Sequence, residues 1–271
     1  MTRYQQRFDR FDRGLHGFLM LSFLGLALTG LPLLFADSPW APAIAAVFGG
    51  YATTGLLHRI FAVILIAVFL THVTRLARRL FIRGELGILW GPRSMVPQPR
   101  DVTDMIAHFR WFLGGSARPK FERYTYWEKF DYWAVFWGMG IIGGSGLMLW
   151  FPELFARFLP GWVFNIALVV HGEEALLAVG FIFTIHFFNG HLRPEKFPMD
   201  TVIFTGRVSE DELAHERRAE YERLAATGEL ERLDAGPPSP RARRMGHIIG
   251  TAAVVTGITL VILITFALLT H

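Results

Sequence analysis

An almost uninterrupted apolar run, Gly55–Arg75, constrains the fold of this chain more than any other stretch. As a helix it can cross a bilayer, because about 20 residues at about 1.5 Å each span a hydrocarbon core of roughly 30 Å. A histidine stands near each end of the run, His58 and His72. At about 100° per residue, their spacing puts both on roughly one face of the helix, about 21 Å apart along its axis.

A second apolar run, Val163–Gly190, repeats this arrangement with His171 and His186. An imidazole inside a bilayer is costly and usually functional. A neutral imidazole needs partners for both nitrogens; a metal can be one, and a backbone carbonyl or a hydroxyl the other. Haem iron held by two histidines suits electron transfer, because no coordination position stays open. The pattern therefore predicts a b-type cytochrome with two haems stacked across a membrane.

The composition excludes several other classes of protein. With 52 % hydrophobic residues and a mean hydropathy of +0.35, the chain is too apolar for an ordinary soluble domain of its length. It has no cysteine, which excludes disulfides, cysteine-ligated iron–sulfur clusters and a covalently bound c-type haem. Histidine is left as the strong metal ligand. The net charge of +4 is sorted along the chain rather than spread over a surface, so we expect no nucleic-acid partner.

The apolar runs predict an all-α integral membrane protein: a four-helix transmembrane haem-binding bundle plus a fifth, C-terminal transmembrane helix. The predicted spans cover about residues 15–35, 54–76, 130–151, 162–189 and 246–269. The expected division of the chain is a bundle (1–200), a cytoplasmic charged helix and linker (201–244), and the fifth helix (245–271). A capping box at Ser209–Glu212 opens the charged helix, which we expect to run to about Leu233. Gly246-x-x-x-Gly250 in the fifth span is typical of a helix contact.

The basic residues predict the orientation of the spans. Of the 27 lysines and arginines, 25 lie in residues 1–13, 75–129 and 193–244, and only Arg59 and Arg157 lie on the other side. Because basic loops stay in the cytoplasm, five spans put the N-terminus there and the C-terminus in the periplasm of a bacterial inner membrane. The highly charged first 13 residues are not those of a cleavable signal peptide.

This orientation assigns a depth to each histidine. His58 and His171 lie near the outer face, where no other histidine competes with them. Four candidates share the inner face, so the inner ligand set and a third haem stay open: His16, His72, His186 and His191. Arginines close to these levels are candidate ion-pair partners of the haem propionates: Arg59 at the outer face, and Arg13 or Arg75 at the inner face. The other histidines are interpreted as loop, surface-helix, interfacial or chain-end residues: His108, His215, His247 and His271.

The order and spacing of several short motifs resemble the cytochrome b (gamma) subunits of respiratory formate dehydrogenases. Their kin are the cytochrome b subunits of thiosulfate reductases and nickel–iron hydrogenases, all cytochrome b561-like. The motifs are Arg13-x-x-His16 with FLMLSFLGLALTGLPLLF, Leu57-His58, Arg123-Tyr124, Ser145-Gly146, and Val170-His171 with the run to His186. The resemblance covers about residues 8–200, which are the first four spans.

The resemblance implies a di-haem anchor. In the proteins that the chain resembles, the positions of His58 and His171 bind the outer haem b, and those of His16 and His186 bind the inner one. A quinone, menaquinone or ubiquinone, is then expected near Arg123-Tyr124 and the end of the fourth span, where His191 lies. Two departures stand out. His72 has no counterpart, and the histidine spacing is also similar to the cytochrome b/b6 arrangement, in which His72 would pair with His186. Thr125 replaces an asparagine of the family's quinone loop.

The predicted function is that of a membrane-anchor cytochrome b subunit. It would transfer electrons between the quinone pool and an extracytoplasmic partner: a multihaem cytochrome c, an iron–sulfur or molybdoenzyme subunit, or a hydrogenase subunit. We therefore expect a hetero-oligomeric complex embedded in lipid. Two alternatives stay open. One is a non-redox transporter or scaffold whose histidines form a proton path with Glu173 and Glu174. The other is a cytochrome b561-type oxidoreductase that acts without a partner.

Overall fold

A computed structural model describes residues 2–270 of the chain, and its main elements are long helices. Five helices in these residues are long and apolar enough to cross a membrane. They are named here span one to span five: Arg10–Leu34, Tyr51–Ile82, Tyr126–Trp150, Trp162–Leu192 and Pro240–Thr270. This confirms the predicted fold class, although spans one, three and five begin four to six residues earlier than expected and span two ends six residues later. His271, expected at the chain end, lies outside the described residues.

Three of the spans contain short π-helical segments. Span two ends in Arg78–Ile82, span three contains Met139–Gly143, and span four contains Ile182–His186 and Phe188–Leu192. A π segment absorbs an extra residue and so rotates everything after it by roughly 100° relative to a regular helix. The facing of His186 and His191 therefore depends on backbone geometry that residue counting along a regular helix does not capture.

The chain folds into two compact units, each built from pieces that are distant in sequence. The membrane unit comprises residues 14–72, 136–200 and 244–270, and the charged unit comprises 2–13, 73–135 and 201–243. The division into consecutive segments 1–200, 201–244 and 245–271 stays a prediction.

The membrane unit has an apolar core formed mainly by spans one, four and five. Its most buried members are small or aromatic residues: Ala27, Leu31, Val179, Phe183, Phe187, Ala253 and Leu260. The small residues of span five allow close packing, because a Cβ added at Gly257 would lie 2.7 Å from ring atoms of both Phe183 and Phe187. At Gly250 the neighbour is the side chain of Met199. Span five thus packs through a glycine face, as its glycine motif predicts. The short helices Ala41–Val47 and Pro152–Phe155 lie in the connections after spans one and three.

The charged unit contains a small antiparallel sheet that the sequence did not predict. Strand Tyr4–Gln6 lies between Arg207–Ser209 and Asp234–Ala235. Valine and leucine side chains from residues 202–230 form its core. Four short helices complete the C-terminal part of the unit: Val202–Thr205, Glu210–Glu216, Arg218–Ala226 and Glu229–Leu233. The connection between spans two and three adds a 3-10 turn, Leu86–Ile88, and a helix, Pro99–Phe112.

The predicted charged helix after Ser209 begins as expected and then breaks. The Ser209 hydroxyl accepts a hydrogen bond from the Glu212 amide, as in a capping box. The helix stops at Arg217, whose backbone is not helical, and again at Gly228, which has a left-handed φ of 68°. Three short helices replace one long helix because their charged side chains turn inward to pair. Glu220 is 2 % exposed and pairs with Arg7 at 2.9 Å.

Candidate functional site

Two histidines from different spans face each other at one end of the membrane unit. His58 comes from span two and His171 from span four, and their ring centroids lie 6.3 Å apart with planes at 81°. Two metal–nitrogen bonds of about 2.0–2.1 Å and two ring radii of about 1.2 Å sum to about 6.4–6.6 Å, close to this separation. The separation of the rings is therefore that of two imidazoles sharing one metal ion.

Hydrogen bonds on the far side of each ring fix its orientation and tautomer. The Nδ1 atom of His171 lies 3.0 Å from the carbonyl oxygen of Ile142, which can only accept, so Nδ1 carries the proton. The Nδ1 atom of His58 lies 3.1 Å from the Thr29 hydroxyl, whose own proton goes to the carbonyl of Gly25 at 2.6 Å. Nδ1 of His58 is therefore the donor as well. Both Nε2 atoms keep a lone pair for a metal, which is the usual outer-shell arrangement around ligating histidines.

The two histidines are held by matching dipeptides on the preceding spans. Thr29-Gly30 contacts His58, and Ser145-Gly146 contacts His171, with the Ser145 hydroxyl 3.3 Å from Nδ1. A Cβ at either glycine would lie 2.9 Å from Cε1 of the histidine it faces. Only glycine therefore lets each imidazole lie this close to the neighbouring backbone. In the sequence, Ser145-Gly146 stands out only as a family motif and Thr29-Gly30 does not stand out at all. The signal shared by the two is a hydroxyl-glycine pair inside an apolar span.

The other end of the membrane unit also gathers histidines. His16 of span one interacts electrostatically with both His186 and His191 of span four. Nδ1 of His191 is buried and has no hydrogen-bond partner among residues 2–270. His72 packs its ring against Phe136 of span three, with centroids 6.3 Å apart. The structure thus brings three of the four inner candidates together.

The donor set and the glycines fit a flat macrocycle. Within residues 2–270, no group of three or more His, Asp or Glu side chains is arranged to hold a metal ion. A pair of histidines suits an iron whose other four ligands come from a porphyrin. Gly17, Gly144 and Gly180 are only partly exposed, yet a Cβ at each would meet no atom within 4 Å. Flat groups can approach the backbone at these positions: Gly17 follows His16, Gly180 lies between His171 and His186, and Gly144 precedes Ser145, which contacts His171.

A comparison with protein families decides the class of this protein. The sequence model of the prokaryotic cytochrome b561 family matches residues 7–194, more than half of the chain. The chain belongs to the prokaryotic cytochrome b561 family. It is a multi-pass membrane protein that binds haem b and transfers electrons. No curated protein matches the sequence. Span five and most of the charged segment after span four lie outside the matched region.

The family assignment also bears on the non-redox alternative, which relied on two glutamates of span four. Trp137 of span three donates a hydrogen bond to Glu174 at 3.1 Å, and Glu173 lies exposed on the outer surface of the span. Because the chain belongs to an electron-transfer family, Glu173 and Glu174 are not interpreted as the proton path of a non-redox transporter.

The three arginines proposed for haem propionates have different surroundings in the cytochrome. The guanidinium of Arg59 lies over the Trp150 ring, 5.7 Å from its centroid, and its side chain is exposed. Arg75 pairs with Asp12 at 2.6 Å and Asp9 at 2.9 Å. Arg13 donates to the carbonyl of Phe204 at 2.9 Å. Of the three, Arg75 already has its charge balanced by two carboxylates.

The predicted quinone residues Arg123, Tyr124 and Thr125 lie in the charged unit, where they make structural contacts. Arg123 pairs with Glu220 at 3.3 Å, and its Nε donates to the Tyr124 hydroxyl at 3.3 Å. Thr125 is 1 % exposed, and its amide and hydroxyl both donate to the Glu128 carboxylate, at 2.8 and 2.9 Å. This is a capping box that begins span three. The T-Y-W-E sequence carried that signal, which the quinone interpretation overlooked.

Proposed function

We propose that the protein carries electrons across the bacterial inner membrane between an extracytoplasmic redox partner and the quinone pool, using two haems b. We assign His58 and His171 as axial ligands of the outer haem, and His16 and His186 as ligands of the inner haem. The observation that carries the proposal is the facing pair His58–His171, whose spacing and tautomers suit a shared metal. The two levels are about 20 Å apart, because 13 to 15 helical residues separate the inner and outer positions.

Haem b bound at each level supplies a one-electron carrier, and the protein's own residues determine where it lies and how it is held. Thr29 and the Ile142 carbonyl fix the imidazole tautomers of His58 and His171, and a protonated Nδ1 bonded to an acceptor makes Nε2 a stronger ligand. Apolar spans exclude water from the iron. Arg59 is the best-placed candidate to pair with an outer propionate, because it directly follows His58 and its guanidinium lies over the aromatic ring of Trp150.

The inner ligand set rests on His16 lying near His186, with His72 as the alternative. His191 also lies close to His16 and His186. Its role could be that of a further haem ligand or of a residue that contacts the quinone. We propose His191 in the membrane unit, and Arg123 and Tyr124 in the charged unit, as residues that influence quinone binding. For Thr125 we propose an indirect role through the start of span three.

Haem counting tests the ligand assignment. We expect a reduced-minus-oxidised spectrum with a b-type α band and two haems per chain. His58→Ala and His171→Ala should each remove the same haem, and His16→Ala should remove the other. Loss of a haem in His72→Ala but not in His16→Ala would replace the inner assignment by the His72–His186 pair. A spectrum without an α band would refute the proposal as a whole.

The partner is tested by purification from native membranes. The connections between spans at the proposed outer face are short, residues 35–50 and 151–161, so a soluble substrate would have to be handled by another subunit. We expect a redox subunit to remain bound in mild detergent. Isolation of the chain alone, with full activity as a quinol-linked oxidoreductase, would instead support the partner-free cytochrome b561-type alternative.

A further inference from the structure

Helix Pro99–Phe112, in the charged unit, is amphipathic in an unusual sense: its apolar side faces away from the protein. Large apolar side chains are exposed along its length, among them Phe109 at 58 % and Leu113, just past its end, at 87 %. The others are Val102, Met105, Ile106 and Phe112. At about 100° per residue, all six fall within an arc of about 120°. They form one continuous surface, named here the apolar face.

Polar contacts hold the opposite side of this helix against the protein. Asp101 accepts an ion-paired hydrogen bond from Lys129 at 2.8 Å, and both side chains are largely buried. His108 is 7 % exposed, with Nδ1 3.2 Å from the Tyr126 hydroxyl and its ring among aromatic neighbours. The pKa of Asp104, on the same side, is raised chiefly by burial. Turning the apolar face inward would break these buried contacts, so the orientation of the helix is fixed.

A third side of the helix is polar and exposed. Thr103 and Arg110 lie about 100–120° from the centre of the apolar face, on the edge away from Asp101 and His108. The helix thus presents one side to the protein, one to water and one apolar face between them. This distribution is typical of helices that lie in the plane of a membrane surface, with cations at headgroup level.

The path of the chain indicates what covers the apolar face. The helix lies in the connection between span two, which ends at Ile82, and span three, which begins at Tyr126. Both ends of this connection are therefore continuous with membrane-spanning helices. Phe81 and Ile82, at the end of span two, are 81 % and 74 % exposed, and Leu86 and Trp90 follow at 68 % and 64 %. Exposed apolar residues therefore continue from the membrane-spanning part into the connection.

We propose that helix Pro99–Phe112 is an interfacial helix whose apolar face is embedded in the headgroup and upper acyl region of the phospholipid bilayer. The occupant of the face is lipid, and Arg110 lies at headgroup level beside it. A helix anchored in this way, through the Asp101–Lys129 pair, sets the depth at which span three leaves the membrane. This inference does not depend on the haem assignment.

Site-directed probes on the full-length protein in lipid nanodiscs test this inference, and the cysteine-free sequence makes each label unique. A bimane label is placed at Phe109→Cys and, separately, at Ile106→Cys on the apolar face. Thr103→Cys on the exposed polar side of the same helix is the matched control. Fluorescence is compared in ordinary phosphatidylcholine and in phosphatidylcholine brominated on its acyl chains, and a water-soluble iodide quencher is titrated separately.

We expect brominated lipid to lower the fluorescence at both apolar-face positions at least about twofold, while iodide quenches them weakly. The control should show the reverse. Strong iodide quenching at Phe109→Cys and Ile106→Cys would mean that the face is open to water and would overturn the proposal. Protection from both quenchers would also overturn it, because the face would then be covered by protein. Haem absorbance of each labelled variant confirms that the protein is folded.

Discussion

At the scale of single residues, a hydroxyl-glycine dipeptide sets the position of each histidine of the facing pair. Ser145 bonds Nδ1 of His171, and Gly146 leaves the space in which its ring lies. We expect Gly146→Val to displace the imidazole, since even a Cβ would lie 2.9 Å from Cε1. The variant should bind one haem per chain instead of two, measured as pyridine haemochrome per protein.

Gly140→Ala, in the same span, is the control for this prediction, because Gly140 is exposed and a Cβ there meets no atom within 4 Å. It should keep both haems. Full haem content in Gly146→Val, with an unchanged midpoint potential, would mean that the glycine does not position His171. Gly30→Val should behave as Gly146→Val does, because its Cβ would meet His58 at the same distance.

A second prediction at this scale concerns the buried carboxylate of the charged unit. Burial alone would raise the pKa of Glu220, but Arg7 and Arg123 outweigh it and hold the pKa below its usual value. Glu220→Gln leaves two arginines facing a neutral amide, which should cost about 3–5 kcal/mol at pH 7. Hydrogen exchange of the amides in residues 201–243 measures the loss as faster exchange.

The pH dependence of this effect has a definite sign. A carboxyl whose pKa is lowered by folding stabilises the protein above its unfolded pKa, about 4.3, and loses that contribution as the pH falls through the folded pKa. The difference between the wild type and Glu220→Gln should therefore shrink below about pH 4. Glu222→Gln, an exposed partner of Lys120 and Arg218, should change little at any pH. A pH-independent difference would argue against the ion pairs as its cause.

At the scale of elements, span five completes the core of span four although it lies outside the region matched by the family. Its glycine face admits Phe183 and Phe187. Gly257→Leu should overpack this contact and cost about 1–3 kcal/mol. We expect a lower midpoint in thermal unfolding followed by haem absorbance. Val255→Leu, on an exposed side of the same helix, should leave the midpoint unchanged. Equal midpoints for the two variants would mean that span five packs elsewhere.

At the scale of the whole molecule, the sorting of 25 of 27 basic residues onto one side predicts an odd number of spans with termini on opposite sides. We expect alkaline phosphatase fused after the last residue of the full chain to be active. Green fluorescent protein at that position should be dark, and the same protein fused to the N-terminus should fluoresce. Activity of phosphatase at the N-terminus instead would reverse the proposed orientation, and with it the side from which the redox partner docks.

The sequence by itself determined the membrane fold, the number of spans and the two spans with paired histidines, because long apolar runs and helical spacing are local properties. Only the tertiary structure decided which histidines meet. His58 faces His171 through contacts made by Thr29 and Ser145, and His16 joins His186 and His191 after π segments change the facing of span four. It also decided that the apolar face of Pro99–Phe112 points outward. These outcomes depend on contacts between residues distant in the chain, and local sequence patterns do not encode such contacts.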